Sequence, residues 1–151
     1  MIARTWSPPP EGRLVGKGHP AGDFLEAYDW ELLSHEPGSA VRVLAHVPDH
    51  VRNPRGQLFG GFTGAYVDLI ALLTLRQPEQ REPTPSGSFT WYATRTMRID
   101  YFAPVLGPTF EIDCRVETRR GKTRAVTVRF FQGDDLAVLA AVTMLEVQVV
   151  G

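Results

Sequence analysis

The segment from about Gly60 to Arg76 constrains the fold more than any other part of the sequence. Its apolar residues recur at helical spacing and cover most of the circumference of the predicted helix. These apolar positions are Phe62, Ala65, Tyr66, Leu69, Ile70, Leu72 and Leu73. A helix that is apolar on most sides must be buried on most sides, so we expect a sheet to wrap around it.

Strand patterns lie on both sides of this helix. Runs rich in β-branched and aromatic residues, bounded by Gly, Pro, Asn and Asp, predict two strands before it and four after it. The predicted strands are Tyr28–Ser34, Ala40–Val47, Phe89–Phe102, Thr109–Thr118, Thr123–Gln132 and Leu136–Val149. Elements that are segregated in this way are typical of an α+β domain. The sequence therefore predicts one long central helix packed on an antiparallel β-sheet of about six strands.

Two connections and one strand allow finer predictions. The polar residues Arg119 to Lys122 predict a tight turn, and the proline-rich segment Gln77–Gly87 predicts a loop. Within the third strand, every second position is occupied by Arg95, Met97, Ile99 and Tyr101. This period of two predicts that the four side chains share one face.

Length, charge and cysteine content limit the classes of function. The chain has 151 residues, 43% of them hydrophobic, which suits one domain with a substantial core. The net charge of −1 favours neither nucleic acid nor an anionic membrane as a partner. A single cysteine, Cys114, allows no internal disulfide, and its alternation with core residues predicts that it is buried and inert. We expect a cytoplasmic protein in which residues 1–22 form a Pro- and Gly-rich arm, lying across a partner or mobile, and residues 23–151 form the domain.

The tract from Asn53 to Asp68 indicates chemistry. Two adjacent glycines, Gly60 and Gly61, begin the helix, and a glycine-exposed helix start offers free N–H groups to an oxygen that becomes negative during a reaction. Asp68 is a lone acid in an otherwise apolar helix, which is costly unless it has a function or a partner. Together these features favour acyl transfer, and hydrolysis in particular.

The spacing of these groups adds a constraint on assembly. Gly60 and Asp68 are eight residues apart on one helix, which places them about 12 Å apart along its axis. An oxyanion donor and a general base must both lie within about 3 Å of one reacting group. We therefore expect a two-fold dimer in which Gly60 of one chain faces Asp68 of the other. The sequence leaves open whether such dimers pair into tetramers.

The order of elements and two motifs resemble the hotdog-fold thioesterases of the PaaI-like branch, which cleave acyl-coenzyme A. The first motif is Asn53 followed by Gly60-Gly61 and Asp68, and the second is the strand exit from Ile99 to Gly107. The resemblance covers roughly residues 28–149. It implies a hotdog fold, an acyl-CoA substrate and active sites at subunit interfaces.

The resemblance also implies roles for single residues. Gly60 matches the glycine whose N–H polarises the thioester carbonyl, and Asp68 matches the general base or nucleophile. Asn53 matches a loop asparagine that positions the thioester or water, and Thr94 matches a hydroxyl residue that holds the attacking water. The chain departs from the branch at Phe59, where a histidine usually precedes the two glycines.

Substrate-binding residues are predicted for both the acyl group and the coenzyme A part of the substrate. Phe59, Gly61 and Phe62 adjoin the helix start and are candidates for substrate binding, with Phe59 and Phe62 on the acyl side. For the phosphates of coenzyme A, the candidates are the basic residues Arg119, Arg120 and Lys122, since arginines suit phosphate groups. A charged hairpin tip is also commonly just solvated, so this alternative stays open.

Plainer interpretations accompany each candidate. Asp68 could be a structural acid, Gly60-Gly61 could serve close packing, Asn53 could be a turn residue, and Thr94 could be an ordinary strand residue. The histidines show no metal spacing, because Pro48 prevents a helix between His46 and His50, and no cofactor is predicted.

Two other functions compete with hydrolysis. One is a non-catalytic acyl- or CoA-binding protein on the same scaffold, which Phe59 makes more plausible. The other is a hotdog dehydratase or hydratase, which ranks last because the sequence lacks the motifs that carry its catalytic His and Asp.

Overall fold

The computed structural model describes residues 7–77 and 87–150 of the chain. Its elements are, in order, α1 Pro20–Phe24, β1 Glu31–Glu36, β2 Ala40–His46, α2 Gly60–Leu75, β3 Phe89–Tyr101, β4 Thr109–Arg120, β5 Thr123–Gln132 and β6 Asp135–Val149. Short 3₁₀ turns at Ala27–Asp29 and Asp49–Val51 lie before β1 and after β2.

The strands form one antiparallel sheet in the order β1-β2-β4-β5-β6-β3. This sheet curves around α2, which packs against β2, β3, β4, β5 and β6. The predicted α+β architecture, with a long central helix wrapped by six antiparallel strands, is confirmed. The predicted bounds of α2 are also confirmed, since the helix begins at Gly60 and Arg76 is its C-cap.

Tyr66 joins α2 to the sheet at the centre of the core. Its ring stacks on Trp30 at 5.6 Å between ring centroids and meets Phe110 and Phe130 edge-on at 5.4 and 6.1 Å. Its hydroxyl donates a 2.6 Å hydrogen bond to the carbonyl oxygen of His46 at the end of β2. Burial raises the pKa of this phenol, so it remains a donor. Tyr66 thereby fixes the position of the middle of α2 relative to the sheet.

A β-bulge in β3 changes which side chains face α2. The register runs from Thr94 opposite Met144 directly to Thr96 opposite Thr143, so Arg95 is the extra residue. After the bulge, odd-numbered residues such as Met97 face α2. Before the bulge, even-numbered residues such as Thr94 face α2. The bulge interrupts the period of two on which the predicted shared face of Arg95 and Met97 depends.

Other sequence predictions differ in detail. The first strand begins at Glu31 rather than at Tyr28, because Ala27–Asp29 forms a 3₁₀ turn. The turn between β4 and β5 contains only Gly121 and Lys122, since the strand pairing continues to Arg120. Most of the predicted loop Gln77–Gly87 lies outside the described residues.

Part of the predicted arm packs on its own chain. Leu14 and Val15 are buried in the core, and the N–H of Leu32 in β1 donates a 3.0 Å hydrogen bond to the carbonyl oxygen of Gly12. This contact covers part of the β1 edge of the sheet. The boundary predicted between residues 22 and 23 stays a prediction.

The two edges of the sheet are unlike each other. Strand β1 is six residues long and has a bulge at Leu33. Strand β3 is thirteen residues long and, within the described chain, pairs only with β6. A long strand with an unpaired edge is a template for pairing with another chain. The β3 edge is therefore the part of the sheet best suited to contact a second subunit.

Candidate active site

The N-terminus of α2 presents unpaired amide groups. Its N-cap is Phe59, whose side chain makes no capping hydrogen bond. The first N–H groups of a helix have no partner within it, and those of Gly60 and Gly61 have none among the described residues. Both glycines are exposed. The helix start can therefore accept an oxygen that gains negative charge, as its sequence predicts.

Tyr101 fixes this helix start from the side of β3. Its hydroxyl donates a 2.8 Å hydrogen bond to the carbonyl oxygen of Gly60. Its ring lies beside the same glycine, where an added Cβ would come to 3.7 Å from the ring. In the sequence, Tyr101 belongs to the strand-exit motif, which indicates no role for it. The motif was the available signal, whereas the contact depends on how β3 runs along α2.

Asp68 lies two turns further along the same helix. Its neighbours Val67 and Leu69 are buried, but Asp68 itself is exposed on the single chain. The hydroxyl of Thr94 donates a short hydrogen bond to one carboxylate oxygen of Asp68. The bulge at Arg95 brings Thr94 to the helix side, so β3 orients the acid. The structure thus brings together two of the predicted site residues, Asp68 and Thr94.

The glycine and the acid do not meet within one chain. Gly60 and Asp68 belong to one continuous helix, and eight residues of helix separate them by about 12 Å along the axis. Both are exposed, and β3 borders them through Tyr101 at one end and Thr94 at the other. The face that carries both groups lies beside the unpaired edge of β3.

Asn53 has a local role in the loop before α2. Its side-chain oxygen accepts hydrogen bonds from the N–H groups of Arg55 and Gln57 at 2.9 and 3.0 Å. Its amide donates to the Gln57 side chain at 3.3 Å. These contacts close the turn and favour the interpretation of Asn53 as a turn residue. Its predicted role toward the thioester stays a prediction.

Aromatic rings form a row beside the helix start. Phe59 is 51% exposed and contacts Phe62 with ring centroids 5.7 Å apart. Phe62 in turn contacts Phe24 of α1 at 5.6 Å, and Phe24 contacts His50 at 4.7 Å. The ring of Phe59 also covers Gly61, where an added Cβ would come to 2.8 Å from it. This row gives the helix start an apolar neighbour.

The basic residues predicted to bind phosphates lie at the tip of the β4–β5 hairpin. Arg119, Arg120 and Lys122 are exposed. The neighbouring Arg124 differs, because it forms a 2.7 Å ion pair with Glu146 and has only 13% of its side chain exposed. The three exposed cations are therefore the available ones at this tip.

The hairpin tip is in line with the part of β3 that contacts Asp68. Arg120 pairs with Thr123 across the hairpin. Thr123 pairs in turn with Leu145 of β6, and Leu145 pairs with Ala93 of β3. Three strand spacings separate Arg120 from Ala93 by about 14 Å along this row. Ala93 directly precedes Thr94, so the row ends beside the residue that binds Asp68.

Other chemistry has no support in the part of the chain that the structure describes. No cluster of His, Cys, Asp and Glu suited to a metal ion occurs among residues 7–77 and 87–150. Within the same ranges, no helix has the length and apolarity that a membrane crossing requires. Cys114 is fully buried, as expected, and burial raises the pKa of its thiol to about 12. Its inertness stays a prediction.

Several solved structures share this fold. A phenylacetic acid degradation-related protein from Ralstonia eutropha JMP134 has a TM-score of 0.66 at 18% identity, over 85% of this chain and 92% of its own. A Streptococcus mutans UA159 protein bound to acetyl-CoA has a TM-score of 0.63 at 24% identity, over 82% and 92%. A thioesterase from Haemophilus influenzae has a TM-score of 0.65 at 15% identity, over 84% and 82%. These likenesses establish the hotdog fold.

Sequence comparison provides the family. No protein of curated function matches the chain significantly. The family described as the thioesterase superfamily matches residues 55–139, which is more than half of the chain and includes Gly60, Asp68 and Thr94. The protein is therefore a hotdog-fold member of the thioesterase superfamily.

Proposed function

We propose that the protein hydrolyses an acyl-CoA thioester at two equivalent sites in a homodimer. The observation that carries this proposal is the exposed face of α2, which holds unpaired amides at Gly60 and an oriented carboxylate at Asp68. Their separation of about 12 Å along the helix means that one chain supplies only half of a site. A two-fold axis beside this face would pair each Gly60 with Asp68 of the partner subunit.

The unpaired edge of β3 supports this assembly. Its thirteen residues contain no proline or lysine, which are the residues that commonly protect sheet edges from pairing. The part of α2 beside this edge has small residues at Gly61, Gly64 and Ala65, and Gly64 lies against Met97 and Ile99 of β3. A second copy can therefore approach the strand edge while Gly60 and Asp68 stay exposed beside it. Association of dimers into tetramers is a further step that these contacts do not require.

The proposed reaction uses the two groups in complementary ways. The thioester carbonyl oxygen accepts hydrogen bonds from the N–H of Gly60 and from the neighbouring N–H of Gly61, which stabilise the negative charge that develops there. Asp68 of the partner subunit takes a proton from water as the water oxygen attacks the carbonyl carbon. The C–S bond then breaks, and the sulfur leaves with that proton as free CoA. Alternatively, the carboxylate of Asp68 attacks the carbonyl carbon and displaces the CoA thiolate, and water then cleaves the resulting anhydride. This route needs the same placement of Gly60 and Asp68 around the thioester.

Thr94 orients the carboxylate in this scheme. Its hydroxyl occupies one oxygen of Asp68 on its own chain and leaves the other oxygen for water or substrate. This role differs from direct binding of the attacking water, which the family resemblance implied. The structure of the single chain favours orientation of the acid, because Thr94 and Asp68 already contact each other.

The two ends of the substrate would contact different parts of the dimer. The row of Phe59, Phe62 and Phe24 lies beside the free amides and suits an apolar acyl group. Arg119, Arg120 and Lys122 suit the CoA phosphates. The acetyl-CoA bound to the Streptococcus mutans neighbour supports a CoA thioester as the substrate. Cys114 is the single cysteine of the chain and is free, which suits the reducing cytoplasm that we propose as the compartment of the protein.

A panel of acyl-CoAs with a thiol reagent as readout tests this function. We expect release of free CoA by the native protein and a loss of at least about 100-fold in kcat for Asp68→Asn, because the base is removed. The matched control is Asp134→Asn in the exposed β5–β6 turn, which should keep full activity. Tight binding of acyl-CoA without turnover across the panel would contradict the proposal and favour the non-catalytic binding protein.

A further inference from the structure

The hydrogen bond from Tyr101 acts on the peptide group between Gly60 and Gly61. The carbonyl of that peptide accepts the Tyr101 hydroxyl at 2.8 Å, and its N–H belongs to Gly61. A donor at the oxygen of a peptide group polarises the group and strengthens its N–H as a donor in turn. The Gly61 N–H is unpaired among the described residues and lies at the helix start. Tyr101 therefore strengthens a free donor in the proposed active site.

The adjacent peptide group has the same arrangement. The carbonyl of Phe59 accepts a 2.9 Å hydrogen bond from the N–H of Phe62, and the N–H of that peptide belongs to Gly60. Both candidate oxyanion donors, at Gly60 and Gly61, are thus backed by a hydrogen bond at the carbonyl of their own peptide. One of these bonds is made by the helix itself, and the other depends on a side chain from β3.

We propose that Tyr101 is a positioning residue for thioester hydrolysis, which fixes the Gly60–Gly61 peptide and polarises its N–H toward the thioester oxygen. The inference rests on the proposed function of this site. The Tyr101 ring lies beside the backbone of Gly60, where an added Cβ would make an ordinary contact with the ring at 3.7 Å. The ring borders the site from β3, so it also limits the direction from which substrate reaches the amides.

The expected effect follows from the worth of an oxyanion donor. Removal of one donor lowers kcat by about 10²–10³-fold, and a neighbouring hydrogen bond strengthens a donor by roughly 10–30%. These fractions correspond to a loss of about 2- to 8-fold in kcat for Tyr101→Phe, with little change in KM. The matched control is Tyr28→Phe, whose ring contacts Lys17 on another part of the chain. A change confined to KM, or no change in kcat, would overturn the proposal.

An infrared measurement separates this inference from the function on which it rests. The acyl-CoA that is turned over fastest in the panel is labelled with ¹³C at its carbonyl and bound to Asp68→Ala, which leaves the thioester intact. We expect the carbonyl stretch to shift to lower frequency on binding, and this shift to shrink in Asp68→Ala/Tyr101→Phe but not in Asp68→Ala/Tyr28→Phe. A shift that is unaffected by Tyr101→Phe refutes the role of Tyr101 alone. A carbonyl that does not shift in Asp68→Ala refutes the amide contact and with it the proposed function.

Discussion

Substitution of Gly60 by proline removes one N–H group and leaves the surrounding fold intact. Proline is favoured at the first position of a helix, because its fixed φ suits the helix and the N–H there has no intrahelical partner. Gly60 is that first residue. The residue before a proline must be extended, and Phe59 already has φ −66° and ψ 125°. The Cβ of the proline has space as well, since the nearest atom to an added Cβ is in the Tyr101 ring at 3.7 Å.

The expected loss of activity in Gly60→Pro comes from the missing amide N–H alone. Loss of one oxyanion donor costs about 2.7–4 kcal/mol of transition-state stabilisation, so we expect kcat of Gly60→Pro to fall by about 10²–10³-fold. Gly60→Ala is the matched control, because it retains the N–H and places its Cβ at an ordinary contact distance. It should keep most of its activity and gain about 0.4–1 kcal/mol of stability.

Free CoA release and a thermal melt, measured on both variants, test whether the Gly60 N–H is an oxyanion donor. Near-native kcat in Gly60→Pro, together with an unchanged melting temperature, would refute the assignment of this N–H as the oxyanion donor. An equal loss of activity in Gly60→Ala would also refute it, because space rather than the amide would then be the requirement at this position.

Three further results are expected. Thr94→Val should lower kcat by about 10-fold or more, because it removes a hydrogen bond to the charged Asp68, while Thr94→Ser should retain activity; equal kcat values in the two variants would contradict the role of the hydroxyl. Tyr66→Phe should lower the free energy of unfolding by about 1–3 kcal/mol in urea denaturation, because the partly buried carbonyl of His46 loses the hydrogen bond from Tyr66; an unchanged midpoint would contradict this. Cys114 should resist iodoacetamide at pH 8 in the folded protein and react after unfolding, because burial raises the pKa of its thiol to about 12 and keeps it protonated; rapid labelling of the native state would show that the thiol is accessible.

The central helix and its wrapping sheet could be predicted because their patterns are local and consistent. Apolar residues around most of Gly60–Leu75 leave only burial as a solution, and the glycine pair indicates where the helix begins. The hairpins after Thr109 follow from alternation and turn residues. The start of β1 is less predictable, because the sequence of Ala27–Asp29 also suits a strand but forms a 3₁₀ turn.

The supporting contacts of the site could not be predicted in the same way. A single-residue bulge at Arg95 reverses the facing of every residue on one side of it, and no periodicity in the sequence marks this position. The bulge brings Thr94 to Asp68, whereas the residues beyond it bring Tyr101 to Gly60. Motif spacing named three of these four residues as catalytic candidates, but the role of Tyr101 depends on the path of β3 along α2.

Mixed dimers test most directly whether each site is shared between two chains. Gly60→Pro and Asp68→Ala subunits are each expected to be almost inactive as homodimers. When they are unfolded together in equal amounts and refolded, half of the dimers should contain one chain of each kind, and each such dimer should have one intact site, with about a quarter of native activity overall. Recovery of that activity is the result that we predict. A mixture that stays as inactive as its components would contradict the convergence of Gly60 and Asp68 from different subunits.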